Sequence, residues 1–162
     1  MAIGIVSAVV KRLVGNQTYY FGTVGSDKLK GITFVPVVEN SKKTYVIERT
    51  EGGYQRPGSR SRMRLFMKYL SDNPNSVVPP IILSGRDWSF KPESDDGLYG
   101  LLEVSEPAAI IDGQHRAGGY IALLEELNVV RNVDFIVLVG LDVDAEKQEF
   151  LTVNTTQKGV PK

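Results

Sequence analysis

Ile110-Ile111-Asp112-Gly113-Gln114-His115-Arg116-Ala117-Gly118-Gly119-Tyr120 is the stretch on which the reading of the fold turns. Apolar residues stop at an Asp-Gly pair and Gln-His-Arg follows at once. Tyr120, Leu123, Leu124 and Leu127 then recur at helical spacing. This spells a strand, a tight turn and a helix start, with an arginine and the chain's only histidine in the first helical turn. Helix N-termini present unpaired N–H groups and a partial positive charge, so they attract anions. Gly113 has no side chain to keep a ligand off the backbone. The turn therefore reads as a grip for phosphate.

Outward from the turn, strands and helices interleave. Ile3 to Leu13, rich in β-branched residues, and Tyr19 to Val24 read as a hairpin around Gly15-Asn16. Gly31 to Val38 reads as a strand whose Pro36 suggests an edge position, and Tyr45 to Arg49 as a shorter one. After the glycine-rich break Glu51 to Gly58, Ser59 or Ser61 can cap a helix that ends at Asp72-Asn73-Pro74-Asn75. Its Met63, Phe66, Met67 and Leu70 define a buried face. Further strands are expected at Val77 to Ser84, Leu101 to Val104, Ala108 to Ile111 and Val133 to Val139. Trp88 to Gly100 reads as an exposed loop or loose hairpin, and Asp144 as the cap of a last helix through about Val153. The fold class is α/β (α+β), with a mixed sheet and flanking helices.

Bulk composition narrows the function. A chain of 162 residues reads as one domain with a real core. With 19 basic and 19 acidic residues there is no whole-domain basic footprint, so a nucleic-acid site must be a local patch. The lack of cysteine removes disulfides, zinc–thiolate sites, Fe–S clusters and thiol chemistry, and suits a cytoplasmic protein. No apolar run approaches a membrane span, and no basic region precedes the apolar N-terminus as in a signal peptide. The polar end, Asn154 to Lys162, stops without a natural terminus, so the chain reads as the N-terminal part of a longer protein.

Arg56, Arg60, Arg62, Arg64 and Lys68 place five positive charges in a span without an acid. Most charge runs are solvated faces, but those usually interleave Glu with Lys. A stripe of mostly arginine suits nucleotide phosphates or DNA backbone better.

Asp112-Gly113-Gln114-His115-Arg116 is the signature of the DGQHR-domain proteins, which the chain resembles. Tyr19-Tyr20, Gln55-Arg56, Lys68 to Pro74 and the tail from Val153 to Pro161 extend the resemblance over most of the chain. Among the well-known relatives it resembles are the DndB proteins, which accompany bacterial DNA phosphorothioation operons and are regarded as DNA-binding regulators. Other DGQHR proteins belong to DNA-modification and phage-defence systems, and some hydrolyse NTP. The family is similar to the ParB/sulfiredoxin superfamily, which implies a ParB-like mixed sheet, here with an N-terminal β-hairpin addition. Sulfiredoxin chemistry is excluded, because Gln114 stands where a cysteine is needed.

Composition alone favours a plain turn in which Asp112 caps the helix and His115 and Arg116 are solvated. The resemblance reverses that preference. It implies a fork from Arg116 to phosphate oxygens, with the Gly113 and Gln114 amides adding donors. The Gln114 side chain reads a base edge, a ribose or a water. His115 donates to phosphate or handles a proton. Asp112 caps the helix or helps hold Mg²⁺. Arg56 reaches the turn by its family position. Asn154 and Thr155 either close over the ligand or belong to a helix C-cap and polar tail. Trp88 and Tyr99 could stack on a base, but a satellite core is the preferred reading.

Two functions of different class follow. One is a DNA-modification or defence protein that binds nucleotide and DNA and hydrolyses NTP with Mg²⁺ through Asp112, His115 and Arg116. The other is a non-catalytic DNA-binding regulator of a sulfur-modification operon, using Arg116, Arg60, Arg62, Arg64 and Lys68. A ParB-like nuclease is the weaker third, since Asp112 is the turn's only carboxylate. No structural metal is expected. The partners implied are DNA, nucleotide, other DNA-modification proteins and a second copy of the chain, with no membrane.

Overall fold

The computed structural model describes residues 2–41 and 44–158, and the side chains up to 155. In chain order the elements are β1 (Gly4–Val14), β2 (Gln17–Gly25), α1 (Ser26–Ile32), β3 (Thr33–Pro36), β4 (Glu48–Arg49), α2 (Arg60–Asp72) and β5 (Ile81–Gly85). Then follow β6 (Trp88–Pro92), β7 (Tyr99–Val104), β8 (Ala108–Asp112), α3 (Gln114–Leu127), β9 (Asn132–Val139) and α4 (Val143–Lys158). Among the described residues, nine strands form one sheet in the order β4-β3-β8-β5-β9-β2-β1-β7-β6. The sheet is mixed, as expected: β3–β8, β3–β4 and β5–β9 are parallel, and the other pairs are antiparallel.

The N-terminal hairpin is present and lies inside the sheet, between β9 and β7. A bulge between Val6 and Val9, with Ala8 at φ 56°, re-registers β1 against β7. The segment from Trp88 to Gly100 is a regular hairpin, β6–β7, and Trp88 is core: its indole N–H donates to Glu106 O at 2.7 Å and its ring meets Phe135 edge-on. Tyr99, by contrast, is exposed.

Several boundaries differ from the sequence reading. Residues 26–32 form helix α1, which seven residues containing a glycine do not announce by periodicity. The strand expected from Gly31 therefore begins at Thr33. Pro36 is not on an edge, because β4 lies outside it, and its carbonyl accepts from the Tyr54 and Gln55 amides. Only Glu48 and Arg49 of the Tyr45–Arg49 segment are strand; Tyr45 and Val46 are buried anchors. Strand β5 starts at Ile81, after two prolines that cannot donate to a ladder. Helix α4 is capped by Asp142, whose Oδ1 accepts from the Ala145 amide at 2.7 Å, not by Asp144. It continues to Lys158, so Asn154 to Lys158 are helical and not a C-cap with a polar tail. The end of the expected tail, 159–162, lies outside the described residues.

The main core gathers Ile81, Leu83, Ala108, Ile110, Val133, Phe135 and Val137 from the sheet with Met63, Met67, Leu70, Ile121 and Leu123 from α2 and α3. Strand residues alternate faces. Ala109 and Ile111 therefore point to the opposite side, where α4 packs against β8. Strand β8 thus carries α2 and α3 over one face and α4 over the other.

Helices α2 and α3 cross where Gly118 and Gly119 meet Met63 and Phe66. A Cβ on Gly118 would collide with Met63 Sδ and Cγ, and Met63 is fully buried. Gly118→Ala is expected to destabilise the fold by about 1 kcal/mol: overpacking costs about 2 and better helix propensity returns about 1. Gly31→Ala, in open space on α1, is expected to be stabilising. Denaturant unfolding of the two variants checks both signs. The close crossing matters for function because it brings the start of α2 beside the start of α3.

Candidate phosphate site at the β8–α3 turn

Strand β8 ends at Asp112, and Gly113 makes the turn into α3 with φ 98° and ψ 26°. That backbone region strains any side chain. A Cβ here would also lie 2.7 Å from Ile81 Cγ2 and 2.9 Å from Arg116 Nη2. The N-cap of α3 is Gly113 itself, with no side-chain cap. Asp112 does not cap the helix. Its Oδ2 instead lies 3.3 Å from Arg116 Nη2. Among the described residues the first-turn amides of α3 are thus left without a side-chain acceptor, as an anion site requires.

Arg116 lies in a concave region with a quarter of its side chain exposed. Its two hydrogen bonds among the described residues, to Pro80 O at 3.2 Å and to Asp112 at 3.3 Å, use the same terminal nitrogen. Its Nε is buried with no partner among the described residues. A guanidinium so lightly held keeps donors for a ligand.

His115 joins the two helix starts. Its Nε2 accepts from the Ser59 amide at 3.0 Å, and Ser59 caps α2 by accepting from the Arg62 amide. The ring proton therefore sits on Nδ1. Burial, and then the nearby Arg62 charge, hold the pKa of His115 below its usual 6.5. The lowered pKa favours the neutral imidazole, whose Nδ1–H remains as a donor. Gln114 Nε2 donates to Arg56 O at 3.1 Å, which ties the turn to the segment before α2. Its Oε1 is buried without a partner among the described residues.

These groups open on a cleft of about 700 Å³. Arg56, Arg62, Arg116, His115, Gly113 and Gln114 line one side, and Phe150, Leu151, Asn154 and Thr155 of α4 the other. Among the described residues its walls carry three arginines against one carboxylate, Asp112. The positive ends of α2 and α3 converge beside it, reinforcing the preference for an anion. Asn154 Nδ2 is turned back onto Phe150 O at 2.7 Å, within its own helix.

The structure divides the basic stripe. Arg62 faces the cleft. Arg60 stacks on the Tyr45 ring at 4.2 Å, Arg64 pairs with Glu126 at 3.4 Å, and Arg64 and Lys68 line a separate hollow near Leu127. Helical rotation explains this, since Arg60, Arg64 and Lys68 share a face that Arg62 leaves by half a turn. Among the described residues no group of three His, Cys, Asp or Glu could hold a metal ion.

A family model described as "DndB: DNA-sulfur modification-associated" matches residues 8–162. The chain belongs to the DndB family. Among curated proteins and among solved structures nothing matches. The matched region of this DndB chain includes every residue of the cleft. No helix among its described residues is long and apolar enough to cross a membrane.

Sequence reasoning missed the buried polar groups that hold α4 as the far wall of the DndB cleft. Glu146 of α4 is buried and accepts from Arg86 Nη2 at 2.7 Å and from the Tyr54 hydroxyl at 2.6 Å. Gln55, which only the family resemblance marks in the sequence, is buried and donates to Ile110 O at 2.6 Å, which fixes Arg56 at the cleft mouth. No periodicity marks Arg86 and Glu146 as partners, since they are far apart in the chain.

Proposed function

We propose that this DndB chain serves DNA sulfur modification as a phosphate-binding module, whose cleft takes the phosphate chain of a nucleotide. One observation carries the reading. Among the described residues, an uncapped helix start, Arg116 with an unspent Nε and two further arginines converge on one concavity with a single carboxylate. Arg116 and the α3 amides hold the innermost phosphate. Arg56 and Arg62 neutralise the rest, and the His115 Nδ1–H adds a neutral donor. Asn154 and Thr155 flank the phosphate chain from α4.

Binding without turnover is the form of this function that the geometry favours. Asp112 leans on Arg116, and His115 has one nitrogen spent on Ser59. A Mg²⁺ ion would arrive on the triphosphate itself, with Asp112 the one carboxylate at hand. Direct DNA contact by Arg60 and Arg64 is less favoured, because both already have partners within the chain.

Calorimetric titration with tripolyphosphate and with ATP, with phosphate release followed in parallel, tests the proposal. Saturable binding of both that weakens with salt is expected, with no release of phosphate above background. Absence of binding by either ligand contradicts the proposal. Release that disappears in His115→Ala replaces binding with hydrolysis.

A further inference from the structure

A second hollow, about 460 Å³, adjoins the phosphate cleft and shares Arg62, His115 and Arg116 with it. Its remaining lining is Leu65, Phe66 and Tyr69 of α2. These side chains are not simply the outer edge of the core. Leu65 is 67% and Tyr69 46% exposed, whereas Met63, Met67 and Leu70 on the same helix are buried. Phe66 and Tyr69 stack with ring centroids 5.9 Å apart and planes 19° apart, and Phe66 rests edge-on against Tyr120. The Tyr69 hydroxyl is hydrogen-bonded to Ser76 Oγ at 2.6 Å, so the ring is held before any ligand arrives.

We propose that this hollow receives the unpaired nucleobase attached to the phosphate group in the cleft, with the base stacked on Tyr69 and Leu65 covering its edge. The inference rests on the phosphate reading and adds a recognition element to it. A flat aromatic platform beside guanidinium groups is what a base requires and what a bare polyphosphate does not use. The shared rim of Arg62, His115 and Arg116 makes the two hollows neighbours, as a base and its own phosphate require. An apolar peptide would leave those cations without counter-charge. Two sources supply the same chemistry, a free nucleotide and a single-stranded DNA end.

The test compares ATP with tripolyphosphate, and a short oligo-dA strand with an abasic strand of equal length, on wild type, Tyr69→Ala and Tyr69→Phe. Tyr69 is exposed on α2, and circular dichroism confirms that the variants fold. In wild type the base-bearing ligand of at least one pair is expected to bind about 10-fold more tightly than its baseless counterpart. Tyr69→Ala is expected to erase that advantage while leaving tripolyphosphate and abasic binding unchanged, and Tyr69→Phe to keep most of it. A gain in the ATP pair assigns the hollow to a mononucleotide, and one in the strand pair alone assigns it to DNA. Equal binding within both pairs in wild type overturns the base subsite and leaves the phosphate reading standing. So does a Tyr69→Ala variant that weakens base-bearing and baseless ligands alike. If nothing binds, the phosphate reading fails and the subsite fails with it.

Discussion

Arg86→Ala is expected to destabilise the fold by about 3 kcal/mol at neutral pH. The Glu146 side chain is 1% exposed and takes two hydrogen bonds from Arg86, at 3.1 Å from Nε and 2.7 Å from Nη2, besides one from Tyr54. Burial alone would raise its carboxyl pKa, but the bonds from Arg86 and Tyr54, with the Arg86 charge, outweigh it and hold the value below the usual 4.5. Removing the guanidinium leaves a buried carboxylate without a cation. Arg86 keeps 27% of its side chain in solvent, which puts the cost at the low end of the range for a broken buried pair.

The pH dependence has a definite sign. In the wild type the contribution of Glu146 is present above about pH 4.5 and is lost as the pH falls through its lowered folded value. In the variant, burial is no longer offset by the cation, so the folded pKa rises above that of the unfolded chain. The penalty is then full at pH 7 and disappears below about pH 4.5, where the group is protonated in both states. Denaturant unfolding of both proteins at pH 7 and pH 4 is expected to show a gap that narrows with acid. A gap of equal size at both pH values contradicts this account of Glu146. Because Glu146 also anchors α4 as the far wall of the cleft, phosphate affinity is expected to fall in the same variant.

Arg116→Ala is expected to weaken tripolyphosphate binding about 30-fold, a loss of about 2 kcal/mol typical of charge-assisted hydrogen bonds. Arg116→Lys recovers little of it, since a lysine offers a point charge where the arginine offers a fork. Asp112→Asn goes the other way. It removes the one carboxylate that the described residues bring to the cleft and loosens Arg116, so affinity is expected to rise several-fold. This opposition separates a ligand-gripping arginine from one that only staples Asp112 to Pro80. In the latter case both variants lose stability together and neither changes affinity. Calorimetric titration and unfolding on the same three variants decide between them.

What the sequence could convey depended on locality. The β8–α3 turn was legible because its signals lie within a few residues: an apolar run, Asp-Gly, then helical spacing from Tyr120. The Ser59 cap and the buried Met63, Met67 and Leu70 were legible for the same reason. Phe66, read as core with them, is only half-buried, and its stacking on exposed Tyr69 was the missed sign of a second hollow.

Longer-range features were hidden. Asp112 was expected as a cap, but Gly113 takes that position and Asp112 is drawn to Arg116. The arginine stripe was recognised as a group, yet only contact with Tyr45 and Glu126, from distant segments, shows that Arg60 and Arg64 are engaged while Arg62 faces the cleft. The pairing of Arg86 with Glu146 across 60 residues left no local mark at all.

The most direct test is to follow the backbone amide resonances of Gln114, His115 and Arg116, with the Arg116 Nε–H, as tripolyphosphate is added to the uniformly ¹⁵N-labelled protein. Saturable shifts centred on these four groups are the predicted result, with the remaining amides of Arg116→Ala moving only at about 30-fold higher tripolyphosphate. Resonances that stay fixed while Arg64 and Lys68 on the far side of α2 respond, or that do not move at any ligand concentration, would contradict the claim that this turn holds phosphate.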